Sequence, residues 1–225
     1  PKPLPNPAFE EPIRRLLKLT KAQLRDIIAG KENLPGTTET GPEAIYNALA
    51  KINLDRLEGE YRSKLKTAPT TARDNIIKIL GYIQMMKKYD IRPEGLMLTK
   101  FPVLPPIMRP IITINGKIMS DSANTLYKDL LEVKKTYEEL LKEAGEDAAR
   151  PVLADIYDAM KAVTSLGDPI GITITTRPLK GLLKRIFGDS PKVGDFQQKL
   201  LATNVDLSGR AVIVPNVDLD IDHIG

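Results

Sequence analysis

Three aspartates at every second position, Asp218, Asp220 and Asp222, are the first residues whose spacing could do chemistry. On a strand they would project from one face, and such a D-x-D-x-D array can hold magnesium for phosphoryl transfer. The same array also reads as solvated strand-face charge that discourages edge pairing. A second chemical signal is cationic. Residues 177–210 carry Arg177, Lys180, Lys184, Arg185, Lys192, Lys199 and Arg210 against only Asp189, Asp195 and Asp206. That local surplus equals the net charge of +4 of the whole chain. Clustered cations beside glycine loops can track phosphates through counterion release, and an ordinary solvated basic face has the same composition. His223 is the sole histidine, which excludes any site needing two and leaves it a surface or hydrogen-bonded residue. There is no cysteine, so disulfides, Cys-ligated zinc, iron–sulfur clusters and thiol nucleophiles are excluded.

These residues need a scaffold, and 225 residues suffice for one or two domains with a real core. No apolar run reaches the ~18–20 residues of a membrane span, and the N-terminus lacks a signal-peptide pattern, so a cytoplasmic location without a membrane is expected. A chain beginning at Pro1 reads as a processed or excised piece. Pro1, Pro3, Pro5, Pro7 and Pro12 predict an extended leader, followed by a helix over Ile13–Ile28 with Leu16, Leu17, Leu24, Ile27 and Ile28 as its apolar stripe. Between Pro42 and Tyr89 the spacing predicts two helices in a hairpin. The separator is Thr67–Thr71, with Thr70 or Thr71 placed as a cap. Four prolines in Phe101–Pro110 predict a stiff extended loop within an irregular stretch from Ile91 to Asn115.

The strongest periodicity follows. Ala123, Leu126, Leu130, Val133, Tyr137 and Leu140 are spaced 3-4-3-4-3, and Ala149, Val152, Ile156, Ala159 and Val163 are spaced 3-4-3-4. Joined by Gly145-Glu146-Asp147, they predict a projecting antiparallel coiled-coil hairpin of about 20 residues, or roughly 30 Å, per arm. Pro151 places the start of the second arm a few residues upstream of itself. Its outer faces are charged, through Lys128, Asp129, Lys134, Lys135, Glu138, Glu139, Lys142 and Arg150. Alternating Ile170, Ile172 and Ile174 predict a β-ribbon in Ser165–Thr176, and a short basic helix follows to Phe187. A loop at Gly188–Gly194, an apolar turn at Phe196–Leu201 and a strand at Arg210–Val214 complete the reading. The fold class is mainly α with a small β part.

Several segments, in this order, resemble the largest (beta-prime) subunit of multisubunit bacterial-type RNA polymerase. Thr40–Ile45, Arg92–Leu98 and Pro102–Pro110 resemble the region leading to that family's lid loop, and Ser122–Leu141 the first arm of its clamp coiled coil. Arg177–Lys180, Leu200-Leu201 and Val205–Val214 resemble the switch region that links clamp to core, and Ile13–Ile28 the helix after the zinc ribbon. The resemblance implies a helical clamp segment at 1–96, a lid-like loop at 97–119, the clamp hairpin at 120–164 and a rudder-like loop at 165–176. Residues 177–225 then correspond to the switch region and a β segment leading toward a double-psi barrel. The sequence also departs from the family: the zinc ribbon is missing, Gly167–Gly171 carries no basic residue, and Asp195, Gln197, Thr203 and Asn204 stand where cations are usual. A divergent polymerase, virus-encoded or split, would carry such departures, and would then work in a host's cytoplasm or on a nucleoid.

By resemblance, Arg109, Arg177, Lys180, Lys184, Arg185, Lys192, Lys199 and Arg210 would contact template DNA or the RNA–DNA hybrid, while Asp206 pairs locally. Ile107 and Met108 would wedge the hybrid's upstream edge from a pre-stiffened loop. Glu138, Glu139, Lys142, Glu146 and Arg150 would present a charged landing site to a sigma-like factor. Beta-like and remaining beta-prime-like subunits are the other implied partners. No metal or other cofactor is expected within these residues. Magnesium would serve the complete polymerase at an aspartate motif downstream of Gly225, which favours solvated charge for Asp218, Asp220 and Asp222. Two rivals remain: a stand-alone coiled-coil interaction module, and a metal-dependent phosphotransferase using those aspartates.

Overall fold

The computed structural model describes residues 2–171, 179–190, 192–209, 212, 218–220 and 222–223. The chain divides into two compact units, residues 1–185 and 186–225. In the first, the proline leader is short. Leu4–Pro5 forms β1, which pairs antiparallel with β2 (Met97–Leu98) through Leu4 opposite Leu98 and Pro5 opposite Met97. Asn6 then caps a single 3-10 turn at Pro7–Phe9, its side chain accepting from the Ala8 N–H at 3.1 Å. Helix α1 (Glu10–Leu17) follows at once, with Pro12 in the first turn, where a missing N–H costs nothing.

The single helix expected over Ile13–Ile28 is two. Lys18 adopts a left-handed conformation (φ +55°) and closes α1, and Thr20 opens α2 (Lys21–Ile28) with a reciprocal capping box to Gln23. Both helices still bury the expected stripe, for Ile13, Leu24, Ile27 and Ile28 are sealed from solvent. Between Pro42 and Tyr89 the structure likewise has three helices instead of two: α3 (Pro42–Ala50), α4 (Leu54–Thr67) and α5 (Thr70–Lys88). Asn53 makes the extra break, its side chain accepting from the Arg56 N–H at 3.0 Å. Pro69 takes the cap position of α5, so Thr70 and Thr71 lie inside the helix and cap nothing. Ile45, Leu49 and Ile83 complete a core in which each fully buried aliphatic side chain contributes roughly 1.5–3 kcal/mol.

After the proline-rich loop, the stretch expected to be irregular contains a β-hairpin. β3 (Ile111–Ile114) pairs antiparallel with β4 (Lys117–Ser120), with Ile111 opposite Ser120 and Ile114 opposite Lys117. Asn115 and Gly116 both take positive φ (+51° and +75°), as a two-residue primed turn requires.

The helical hairpin then runs through α6 (Ser122–Glu143), α7 (Gly145–Ala149) and α8 (Val152–Thr164). The root of α6 meets the end of α8 through Ala123, Leu126, Tyr127, Ala162 and Val163, so the arms are antiparallel. They are unequal, 22 and 13 residues, because Pro151 sits at the junction between α7 and α8 instead of inside one long arm. Helix α8 also has a second buried face absent from the sequence reading: Leu153, Ala154, Tyr157 and Met160 join the core of α1–α5. The hairpin therefore lies along the body instead of projecting clear of it. At its far end Lys2 binds both Glu43 on α3 (3.1 Å) and Glu146 on α7, and the Arg150 stem crosses Gly30.

The last element reaching the first unit is α9 (Leu182–Phe187). In the second unit Gly188 and Gly194 close a loop so tightly that a Cβ on Gly188 would lie 2.6 Å from the Val193 carbonyl carbon. One π-type turn at Phe196–Leu201 follows. Of the ribbon expected in Ser165–Thr176, the described residues 165–171, Ile170 included, form turn, bend and irregular backbone instead of a strand; the remainder, and the strand expected at Arg210–Val214, lie, Val212 apart, outside the described residues. The expectation of a mainly α fold with a small β part holds: 59% of the described residues are helical, and among them there are two small antiparallel sheets.

Candidate functional site

The proline-rich loop is anchored from beneath by Tyr127 of α6. The Tyr127 hydroxyl accepts from the Leu104 N–H at 3.1 Å and reaches the Pro102 carbonyl at 3.4 Å. Arg109 closes the loop on itself: Nε donates to the Leu104 carbonyl and Nη1 to Asn124 Oδ1, both at 2.8 Å, with the guanidinium 5.7 Å from the Tyr127 ring centre. Asn124 returns a bond to the Arg109 carbonyl at 2.9 Å. Held this way, the loop presents Ile107, 88% exposed, with Met108 beside it, and every residue of β3 and β4 is exposed as well. Ile107 and Met108 thus lie at an apolar edge, whereas Arg109 is committed to its own loop.

Helix α9 brings cations to the base of that loop. Gly181 lets it approach α8 closely, since a Cβ there would lie 2.5 Å from the Ala162 carbonyl oxygen. The Lys184 N–H donates to Ser165 Oγ at 3.2 Å and its side chain is exposed. Arg185 Nη1 donates to the Met108 carbonyl and to Asp121 Oδ2, the latter at 3.1 Å. The structure therefore gathers Arg109, Lys184 and Arg185 around one loop, with the two arginines acting as braces. Lys180 is half-buried just before α9. Lys192 and Lys199 belong to the second unit, both exposed, with Lys199 paired to Asp195 at 3.1 Å. Arg177 and Arg210 lie outside the described residues.

The five residues expected to meet a partner divide into two groups. Glu138 and Glu139 stand on the exposed face of α6 in i,i+4 pairs with Lys134 (3.0 Å) and Lys135 (3.6 Å), followed one turn later by exposed Lys142. Such pairs contribute only about 0.3–0.5 kcal/mol each and can exchange partners at little cost. Glu146 and Arg150 are engaged at the seated tip, where Arg150 pairs with Glu146 at 3.6 Å and Asp147 at 3.3 Å.

One ionic constellation was invisible in the sequence. Lys161, 7% exposed, donates to Asp158 at 2.8 Å, lies 3.9 Å from Glu10 and 4.8 Å from the Tyr157 ring centre. Tyr157 donates to Glu10 at 2.7 Å, and Arg25 holds Asp158 at 2.8 Å and Asp155 at 3.6 Å. Burial pushes the Tyr157 hydroxyl far up, and its bond to Glu10 adds to this. Burial would raise Asp158 as well, but the bonds and charges of Lys161 and Arg25 outweigh it and hold the carboxyl below its usual range. The network ties α8 to α1 and α2. The only sequence signal was Asp158 at i,i+3 to Lys161, which is common on solvated helices.

Among the described residues of the aspartate array no strand is present: Asp218 and Asp222 lie in turns and Asp220 in irregular backbone, all exposed. Among the described residues no three His, Asp or Glu side chains converge as metal ligands, and no helix is long and apolar enough to cross a membrane.

No family model matches the chain. Individual proteins do. The "DNA-directed RNA polymerase subunit beta'" of Caldicellulosiruptor saccharolyticus is 33% identical over 190 residues, covering 82% of this chain and 16% of the relative. The subunit of the same name from Clostridium novyi is 28% identical over 221 residues, 96% of this chain and 18% of the relative. That from Thermus aquaticus is 28% identical over 207 residues, 90% of this chain and 13% of the relative. The chain is a divergent beta'-like RNA polymerase sequence. It spans less than a fifth of the length of these beta' relatives. The similarity runs through the proline-rich loop, the helical hairpin and α9 together, so the beta'-like region includes every element described around the loop.

Proposed function

We propose that this chain acts as the clamp part of a DNA-directed RNA polymerase beta'-like subunit. It holds DNA and the RNA–DNA hybrid, and docks a sigma-like specificity factor on the α6 face. The observation that carries the reading is the joining of three beta'-like segments at one place: Arg185 of α9 bonds to the Met108 carbonyl of the proline-rich loop and to Asp121 at the N-cap of α6. A lid and a clamp hairpin that close over nucleic acid need a common joint at their base, and Arg185 supplies it within the first unit. Ile107 and Met108 then serve as the apolar wedge against the last base pair, Lys180 and Lys184 face phosphates in the first unit, and Lys192 and Lys199 contribute phosphate contacts of the second unit by itself. Arg177 and Arg210, next to these in sequence, join them in the same role. The magnesium of the complete polymerase would supply nucleotidyl-transfer chemistry elsewhere in the subunit, and none of the roles here passes through it.

The test uses a polymerase assembled with this chain. Lys184→Glu should make DNA dissociate at lower salt, with a shallower dependence of log K on log salt, by about 0.9 for each phosphate no longer neutralised. Binding of the specificity factor should be unchanged, and equal loss of both would overturn the reading.

A further inference from the structure

The same unit contains a cavity unrelated to the exposed phosphate-facing cations. It is a half-open pocket of about 570 Å³ lined by β1–β2, residues 99–103, α6 and α8. That volume is in the range of small-molecule sites. The floor is apolar, made by Leu130, Leu153, Ile156 and Met160, and Phe101 and Tyr137 stand in the walls. Four cations, Lys2, Lys100, Arg109 and Lys134, border it against one carboxylate, Glu138. Three of the cations already have partners: Lys2 is held by Glu43 and Glu146, Lys134 is neutralised at the rim by Glu138, and Arg109 donates to the uncharged Leu104 carbonyl and Asn124. Lys100 is exposed.

We propose that this cavity is a binding site for a small amphipathic anion, a molecule with a flexible apolar body and a single carboxylate head. The apolar floor removes the body from water, worth roughly 0.8 kcal/mol per buried CH₂. The head is left at the cationic rim. A neutral ligand of the same length would gain the first contribution without the second, and a cationic one would oppose the rim. The carboxylate meets Lys100, with the positive field of Arg109, whose partners Leu104 and Asn124 are uncharged, behind it. A nucleic acid fits poorly, because its phosphates are spaced along a polar backbone that the apolar floor cannot accept. Because α6 forms one wall, an occupant would also stiffen the hairpin root at Tyr127 and Leu130.

The probes are decanoate, decanol and decyltrimethylammonium, each below its micellar concentration. They are titrated into the full chain by calorimetry, with thermal unfolding followed in parallel. Decanoate should bind with one-to-one stoichiometry and raise the melting temperature, at least about tenfold more tightly than either other probe. Lys100→Glu and Leu131→Glu alter side chains at the cavity mouth that are exposed, Leu131 62% so, and therefore leave the core intact. Each should weaken decanoate at least about tenfold while preserving the ligand-free melting temperature. Equal affinity for all three probes, decanoate binding unaffected by both variants, no saturable binding at millimolar concentration, or displacement of decanoate by a short oligonucleotide would overturn the proposal.

Discussion

Asp158→Asn is the sharpest test of how the helical hairpin is attached. Asp158 sits between Lys161 and Arg25, and its side chain is 24% exposed while that of Lys161 is 9% exposed. Removing the charge leaves Lys161, among the described carboxylates, with Glu10 at 3.9 Å, and Arg25 with Asp155 at 3.6 Å. Deleting one member of a fully buried ion pair costs about 3–5 kcal/mol. Partial exposure of Asp158 and the two remaining carboxylates reduce this to about 2 kcal/mol. With a urea m-value of about 2 kcal/mol/M, the unfolding midpoint of the first unit should fall by about 1 M. In Lys161→Met the buried cation is gone, so Asp158→Asn added to it should cost far less, giving a coupling of at least about 1 kcal/mol in the double-mutant cycle. Amides of α8 should lose hydrogen-exchange protection before those of α4 and α5, because the network ties α8 to α1 and α2. A midpoint shift below about 0.2 M, or a coupling within about 0.3 kcal/mol of zero, would refute the assignment of this network as the hairpin's anchor.

Two further outcomes follow from the same contacts. The depressed Asp158 carboxyl stabilises the fold above its unfolded value of about 3.9 and ceases to do so as pH falls through the lower folded value. Melting temperature should therefore drop more steeply below about pH 4 in the unmodified chain than in Asp158→Asn, as calorimetry at successive pH values would read. Gly30 has φ +74° and a Cβ there would lie 2.3 Å from Arg150 Cδ, so Gly30→Ala should cost about 1–2 kcal/mol. Arg150→Ala should relieve the steric part only, and an unchanged melting temperature for Gly30→Ala would mean that the hairpin tip is not seated.

The seams of α6 and α8 were legible because one buried stripe imposes a 3-4 spacing on the sequence. The second buried face of α8 was not, since Leu153, Tyr157 and Met160 alternate with that seam and make the helix read as simply apolar. Helix breaks were misplaced for local reasons. Thr20-x-x-Gln23 is a capping box, and Asn53 precedes Leu54 as a cap, yet both lie inside longer apolar periodicities that read straight through them. The β3–β4 hairpin had its signal in Asn115-Gly116 between alternating apolar residues, which the density of nearby prolines obscured. In the site, composition identified the basic stretch, but it could not separate a cation that builds the surface from one that faces a ligand. That distinction depends on which carbonyls and carboxylates the fold brings near each guanidinium.

Arg185 and Lys184 illustrate the consequence. They are adjacent in sequence and equal in charge, so counterion release alone would give them equal weight. The structure gives Arg185 two protein acceptors, Met108 and Asp121, and leaves the Lys184 side chain exposed. Arginine's planar fork suits it to such bridging, whereas lysine offers a mobile point charge that follows a phosphate. Loss of Lys184 should therefore reduce the salt slope of DNA retention and leave the loop in place. Loss of Arg185 should free the base of the proline-rich loop, changing the hybrid's upstream edge more than the overall affinity. Under the proposed clamp role, the two neighbouring cations would divide the work between closing on nucleic acid and keeping its strands apart.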